Sequence, residues 1–318
     1  HLLVEAVVIC HHEACTVVVK IESVACEEEG VVGAESLLVG EAVEVVVGIN
    51  YEIILVDNAS KDGSKEFFEK VPRIHYIYSE SNLGFGRANN LGAKVAKGKY
   101  LFLLNSDTLL RNNAIKIFYD YMENASSEIA SCGCMLVDRH NNYIHSYGDR
   151  HTFYNSFYEW LIFPIKHKLG LEKELKKYFN PNVISYPIEV DFVTGADVFL
   201  RRDICVKYGL FDPDFFMYYE DAEMARRWQK AGYKNVVILG PSIVHLVGGS
   251  DRRKTFNRRE MVMNSMFMYF TKDRKPFAAR YFKFLFKILY VLFFVLEMPI
   301  QYGTAKDKIK HIKNVIRI

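Results

Sequence analysis

Two short runs, 51–56 (apolar but for Glu52) and 100–104 (wholly apolar), each stop abruptly at an acidic polar loop. The first gives way to Asp57-Asn58-Ala59-Ser60-Lys61-Asp62-Gly63-Ser64 and the second to Asn105-Ser106-Asp107. A continuous apolar run of this length, bounded by turn residues, is a strand covered on both faces. Between the two, the pattern predicts a helix over 64–70 with Ser64 as its cap. A strand over 73–78 follows, then a helix over 86–96 closed by Gly98. Strands alternating with helices predict an α/β fold with a mostly parallel central sheet flanked by helices. Ligands of such sheets gather beyond the carboxyl ends of the strands, where Asp57 and Asp107 lie.

The rhythm breaks over 140–187, which holds Trp160, many Tyr and Phe, and the basic run 166–177. This stretch is expected to be a helical insertion over a cleft, within a domain spanning 1–270. A strand over 188–193 leads into Thr194-Gly195-Ala196-Asp197 and an apolar return, 198–200. An amphipathic helix over 220–231 ends at Gly232, and 235–239 is a late strand.

Residues 271–318 form a tail with eleven Lys and Arg against three Asp and Glu, a net of +8. The whole chain sums to +3, so the rest carries −5. Within the tail, 281–300 is apolar apart from Lys283, Lys287 and Glu297, and its longest uninterrupted run, 288–296, has nine residues. Crossing a bilayer takes ~20. A basic, aromatic helix lying in the membrane interface is the better expectation, giving peripheral association through 277–318. Packing against another subunit is the other use of such a tail, and no nucleic-acid partner is expected.

Six scattered cysteines do not make a disulfide framework in 318 residues, and no secretory signal follows His1. Both point to reduced thiols and a cytoplasmic location on the inner face of the membrane. The first fifty residues hold fourteen Val and nine Glu, and all 45 aromatics lie beyond them. The functional reading therefore rests on the chain from Asn50 onward. Cys10, His11, His12, Glu13, Cys15 and Cys26 lack the ligand spacing of a zinc site.

Four places carry chemistry. Asp107 is delivered by its strand to the sheet edge, where a hard divalent cation could bridge it to a diphosphate; capping the next helix is the plainer role. Glu220-Asp221 opens a helix behind the aromatic stretch 215–219, which suits a general base; favourable interaction with the helix dipole explains the pair equally well. His245 precedes Gly248-Gly249-Ser250, where glycines allow close backbone approach to a ligand. The loop Asn82-Leu83-Gly84-Phe85-Gly86-Arg87 fails as a dinucleotide fingerprint, since the third glycine is missing. It remains suited to presenting backbone N–H groups to an anion.

Taken together, these segments resemble the family 2 inverting glycosyltransferases of the GT-A fold, in the branch of rhamnosyl- and galactofuranosyl-type enzymes. The residues that carry the resemblance are Val56-Asp57-Asn58-Ala59-Ser60, Asn82-Leu83-Gly84-Phe85 with Ala88-Asn89, Leu104-Asn105-Ser106-Asp107, Gly195-Ala196, Glu220-Asp221 and His245. They occur in the family's order over roughly residues 51–250. The resemblance implies that Asp57, Asn58, Asn82, Gly84 and Arg87 line the nucleotide pocket. Asn105 and Asp107 stand at the positions of the family's Asp-x-Asp motif, and Asp107 with His245 would hold Mg²⁺ or Mn²⁺ on the diphosphate. Gly195 and Ala196 would face the donor sugar, with Asp221 as the catalytic base and Glu220 beside it.

The implied reaction moves a sugar from a dTDP- or UDP-sugar to a glycan or lipid-linked acceptor in cell-surface polysaccharide synthesis. An inactive sugar-nucleotide-binding scaffold of the same fold is the alternative, although it has no need of Asp107, Asp221 and His245 together. One departure stands at the start, where Cys10-His11-His12-Glu13 replaces the family's first strand ending in Thr-Tyr-Asn.

Overall fold

The computed structural model describes residues 4–10, 14–21, 49–61, 63–72, 74–162, 185–246, 256–272, 275–297 and 305–317. His11, His12, Glu13, Cys26, Asp62, Arg73, the basic run 166–177 and Gly248-Gly249-Ser250 lie outside the described residues.

The chain opens with β1 (Val4–Cys10), β2 (Ala14–Ile21) and β3 (Asn50–Asp57), then α1 (Ser64–Phe68) and β4 (Ile74–Tyr78). Next come α2 (Phe85–Val95), β5 (Tyr100–Leu104), β6 (Thr108–Leu110), α3 (Ala114–Asn124), β7 (Ile129–Cys134) and β8 (Tyr147–Gly148). A short α4 (Phe153–Phe157) precedes β9 (Ile188–Val190), β10 (Phe192–Val193), β11 (Asp197–Arg201) and α5 (Arg202–Tyr208). The last elements are α6 (Glu220–Lys230), β12 (Lys234–Ile238), β13 (Ile243–His245), α7 (Phe256–Thr271), α8 (Pro276–Glu297) and α9 (Ala305–Arg317).

The elements group into two compact units. The first comprises His1–Asp149, Phe179–Phe216 and Glu220–Arg252; the second comprises Arg150–Tyr178, Met217–Tyr219 and Arg253–Ile318.

In the first unit nine strands form a mixed sheet in the order β4-β3-β2-β1-β5-β11-β7-β12-β9. The expected parallel run is present where β3 pairs with β2 and β4, and β2 with β5. β11 departs from it, lying antiparallel between β5 and β7. The reversal follows from register: Asp197, the first residue of β11, stands opposite Leu104, the last of β5. The strand therefore starts at the sheet edge where β5 ends, and its entry loop falls beside Asn105. β13 pairs with β6 at the same edge, with His245 opposite Thr108.

Every residue of β5 is buried, as its apolar run requires. Tyr100, Phe102 and Leu104 face one side of the sheet with Phe118 and Phe199. Leu101 and Leu103 face the other with Val198, Leu200 and Trp228. The rings of Phe118 and Phe199 stack with centroids 5.6 Å apart. Each such side chain stabilises the fold by roughly 1.5–3 kcal/mol, which holds the strand ends, and the loops beyond them, in fixed places.

Two expectations change in detail. Ser64 is the first helical residue and not the cap; Gly63 takes the cap position with a left-handed φ of 90° and no side-chain cap bond forms. The run 188–193 divides at Asp191, whose carbonyl accepts hydrogen bonds from Gln229 Nε2 at 2.9 Å and Asn235 Nδ2 at 3.1 Å.

In the second unit α4 runs into a π-helical turn, Tyr158–Ile162. Phe282, Phe286, Tyr290 and Phe294 recur every fourth residue along α8 and are buried. Their rings meet Phe153 at 4.2 Å, Phe157 at 5.3 Å and Trp160 at 5.7 Å between centroids. A buried polar cluster joins the three long helices: His311 Nδ1 lies 2.8 Å from Glu260 Oε1 and its Nε2 lies 3.1 Å from the Tyr290 hydroxyl. Burial lowers the His311 pKa against the opposing pull of Glu260. Among the described residues no helix is long and apolar enough to cross a membrane.

Candidate active site

Four polar loops meet in two pairs: the loop after β3 bonds to the loop before α2, and the loop after β5 to the loop before β11. Asp57 is fully buried at the end of β3. Its Oδ1 accepts from the Ser60 N–H at 2.7 Å and its Oδ2 from the Tyr76 hydroxyl at 2.6 Å. Burial, and then this bond to a carboxylate, push the Tyr76 phenol far above its usual range. Asp57 thus uses one oxygen to shape its own loop and the other to hold that loop to β4.

Asn58 carries that loop to the next one. Its Oδ1 accepts from the Leu83 N–H at 2.7 Å, and its Nδ2 donates to Asn82 Oδ1 at 2.9 Å. Asn82 Oδ1 also accepts from the Gly84 N–H at 2.9 Å. Gly84 has φ 80°, and a Cβ there would stand 2.0 Å from the Phe216 carbonyl oxygen. Glycine is required on both counts, backbone conformation and space. The same carbonyl accepts from the Phe85 N–H at 2.9 Å. On the first turn of α2, Arg87 donates through Nε to the Pro213 carbonyl at 2.6 Å.

Past β5, the Asn105 N–H donates to the Ala196 carbonyl at 3.1 Å. The neighbouring Gly195 N–H donates to Asp221 Oδ2 at 3.3 Å, while the Ala222 N–H donates to Asp221 Oδ1 at 2.7 Å. Two adjacent residues of one loop therefore join the Asn105–Asp107 segment to the head of α6. Burial raises the Asp221 pKa; the two backbone donors and the charge of His145 act in the other direction. Glu220 is buried beside it.

The head of α6 is anchored from its far side. Arg227 donates to Glu223 Oε2 at 2.9 Å and to the Leu210 carbonyl at 2.7 Å. Trp228 Nε1 donates to the Gly209 carbonyl at 3.2 Å.

Asp107 Oδ1 lies 3.0 Å from His245 Nε2, and both side chains are largely covered. The Asp107 carbonyl also accepts from the Leu246 N–H at 2.7 Å. One carboxylate and one imidazole fit a Mg²⁺ or Mn²⁺ site whose remaining positions go to phosphate oxygens and water. Among the described residues no three His, Cys, Asp or Glu side chains form a metal cage, so such a site would be completed by substrate.

The structure thus brings Asn58, Asn82 and Gly84 into one network, and Asn105, Gly195, Ala196 and Asp221 into another, with Asp107 paired to His245. Arg87 is joined to Pro213. Three features were not singled out from sequence. Asp197 is fully buried, and its Oδ2 accepts from the Cys134 N–H at 2.9 Å. Its Oδ1 has no hydrogen-bond partner among the described residues, and burial pushes its pKa up to about 7. His145 is brought near Asp221 because Ser146, next to it, accepts at its carbonyl from the Thr194 N–H at 3.1 Å. Tyr218 and Tyr219 enter α6 with left-handed φ of 71° and 66°. A polar residue at the first position of β11 was the only available signal for Asp197, and backbone conformation leaves none for the tyrosines.

Comparison with known proteins identifies the family of the chain. The sequence model for "Glycosyl transferase family 2" matches residues 34–209. The dTDP-rhamnosyl transferase RfbF of Shigella flexneri is 22% identical over 278 residues, covering 84% of each chain. The rhamnosyltransferase WbbL of Escherichia coli is 24% identical over 233 residues, 71% of this chain and 84% of WbbL. The glycosyltransferase GlyG of Streptococcus pneumoniae is 31% identical over 104 residues, 31% of this chain and 33% of GlyG. Among solved structures, the mannosyltransferase PcManGT of Pyrobaculum calidifontis, in complex with GDP-Man and Mn²⁺, has a TM-score of 0.44 at 15% identity, over 84% of this chain and 70% of that one.

Proposed function

The chain belongs to glycosyl transferase family 2, and from that premise we propose that it transfers a sugar from a nucleoside-diphosphate donor to a hydroxyl of a glycan or lipid-linked acceptor, with inversion at the anomeric carbon. The observation that carries this reading is the loop Gly195-Ala196, which touches both Asp221 and the Asn105–Asp107 segment. A base and a leaving-group site must lie on one locus for a single displacement, and the contacts of this one loop with both segments support that reading.

Asp221 accepts the proton of the acceptor hydroxyl as its oxygen attacks the anomeric carbon, and the nucleoside diphosphate departs. Main-chain donors to both carboxylate oxygens aim the base and favour its ionised form. Asn58, Asn82 and Gly84 shape the wall on which the nucleotide would rest, with Asp57 and Arg87 bracing it. Asp107 and His245 would hold Mg²⁺ or Mn²⁺, which supplies positive charge to a diphosphate when bound. The rhamnosyl specificity named for RfbF and WbbL favours a dTDP-rhamnose-like donor over UDP-sugars. The basic tail 277–318 would keep the protein on the cytoplasmic face of the membrane, where lipid-linked acceptors and polysaccharide precursors lie.

Calorimetry with dTDP-, UDP- and GDP-sugars, with and without Mn²⁺, tests the reading on wild type and Asp107→Ala. Metal-dependent binding of one donor, lost in the variant, is expected. If no donor binds under any metal condition, transfer is rejected and a non-catalytic scaffold takes its place.

A further inference from the structure

Helix α8 is apolar on two opposite sides, and only one of them is covered. The buried side carries Phe282, Phe286, Tyr290 and Phe294. Phe277, Tyr281, Phe284, Ile288 and Leu292 recur at intervals of three or four residues and are 41–81% exposed. At 100° per residue the two sets fall on opposite faces of the helix. A second exposed apolar pair, Ile309 and Ile316, lies on α9.

A stripe of five large apolar side chains in water is costly, at roughly 25 cal/mol for each Å² left exposed, and marks a surface that something else covers. Charge identifies the occupant. Arg280 is exposed, Lys287 lies half-buried on the flank between the two faces of α8, and Lys283 reaches from the buried side over the Phe267 ring. On α9, Lys306, Lys310, Lys313 and Arg317 are exposed. Lys287 Nζ donates to the Ile316 carbonyl at 3.1 Å, tying the end of α9 to α8. Burial, then the charge of Lys283, lower the Lys287 pKa. The segment 271–318 carries a net +8, so two copies meeting through this face would repel. An anionic surface with an apolar layer beneath it satisfies both the stripe and its basic flanks.

We infer that α8 and α9 form an in-plane binding face for anionic phospholipid, in which the Phe277–Leu292 stripe enters the acyl boundary and the flanking Lys and Arg meet headgroup phosphates. The inference rests on the membrane reading of the tail and names the face that makes the contact. Burying each aromatic or aliphatic side chain of the stripe is worth about tenfold or more in affinity. Salt weakens the electrostatic part and leaves the apolar part.

The test is co-sedimentation of the full chain with vesicles of phosphatidylcholine alone and of phosphatidylcholine mixed with phosphatidylglycerol. Wild type is expected to bind the anionic vesicles, and Phe284→Glu with Leu292→Glu to lose about a hundredfold in affinity. Because that variant could misfold, Phe284→Trp gives an independent readout: its fluorescence should be quenched by brominated phosphatidylglycerol in the vesicles above the level set by Trp160 and Trp228. If wild type ignores anionic vesicles, the membrane reading and this face fall together. If wild type binds but the introduced Trp is unquenched and the Glu variant binds equally, the face alone is wrong. A wild-type dimer in solution that Phe284→Glu dissociates would overturn the inference in favour of a second copy.

Discussion

Asp221 and Asp197 are both carboxylates pushed up by burial, yet their situations differ. Asp221 has a main-chain donor on each oxygen and His145 nearby, all favouring the ionised form. In Asp221→Asn, transfer should fall by about 10²–10⁴ while donor binding by calorimetry stays unchanged. The proposed base must be ionised to work, so activity is expected to be lost as pH falls through its raised pKa. His145→Gln removes a positive neighbour and should move the acid limb of the pH–rate profile to higher pH; an unmoved limb would show that His145 is not felt. Asp197 has donors only on Oδ2, from Cys134. Its pKa rises from 3.8 to about 7 in the folded chain, so between those values the folded state holds a proton that the unfolded state has released. Stability therefore drops as pH rises through this window. Asp197→Asn should abolish a loss of about 2–3 kcal/mol between pH 5 and pH 8, measured by urea unfolding. Sequence points to Asp107 and Asp221 because one follows a strand and the other opens a helix of clear pattern. It is silent on Asp197 because desolvation depends on what covers a strand, which local pattern does not encode.

At the scale of elements, the strongest constraint is the backbone contact at Gly84. Gly84→Ala would force a Cβ against the Phe216 carbonyl at a left-handed φ. A loss of at least about 1–3 kcal/mol is expected, with weakened donor binding because Asn58 and Asn82 lose their shared geometry; equal stability and affinity in the variant would contradict this. The strands at Asn50–Asp57 and Tyr100–Leu104 are legible as apolar runs, and the helix Glu220–Lys230 as an amphipathic one. The reversal of β11 is not, because strand direction is decided by where the chain re-enters the sheet. The cap of α1 was missed for a related reason: Gly63 and Ser64 both suit a helix start, and only the conformation of Gly63 decides between them.

For the molecule as a whole, every residue assigned to donor or base lies in the first unit, and the exposed apolar stripe lies in the second. Phe286→Ala, in the aromatic cluster of α8, should cost about 3–5 kcal/mol of stability and leave donor affinity intact, as read by thermal unfolding and calorimetry on one preparation. The tail illustrates the limit of composition. Its apolar residues form one class in sequence, and only packing separates Phe286, which holds the helices together, from Phe284, which faces outward. The support beneath Asp221 has an evolutionary consequence. Both its oxygens rest on peptide N–H groups, which every residue but proline supplies, so no change of neighbouring side chain alone removes them. On the proposed assignment, the surroundings of Asp221 are thereby at liberty to drift with whatever acceptor a lineage adopts, while the proton-accepting step is inherited unchanged.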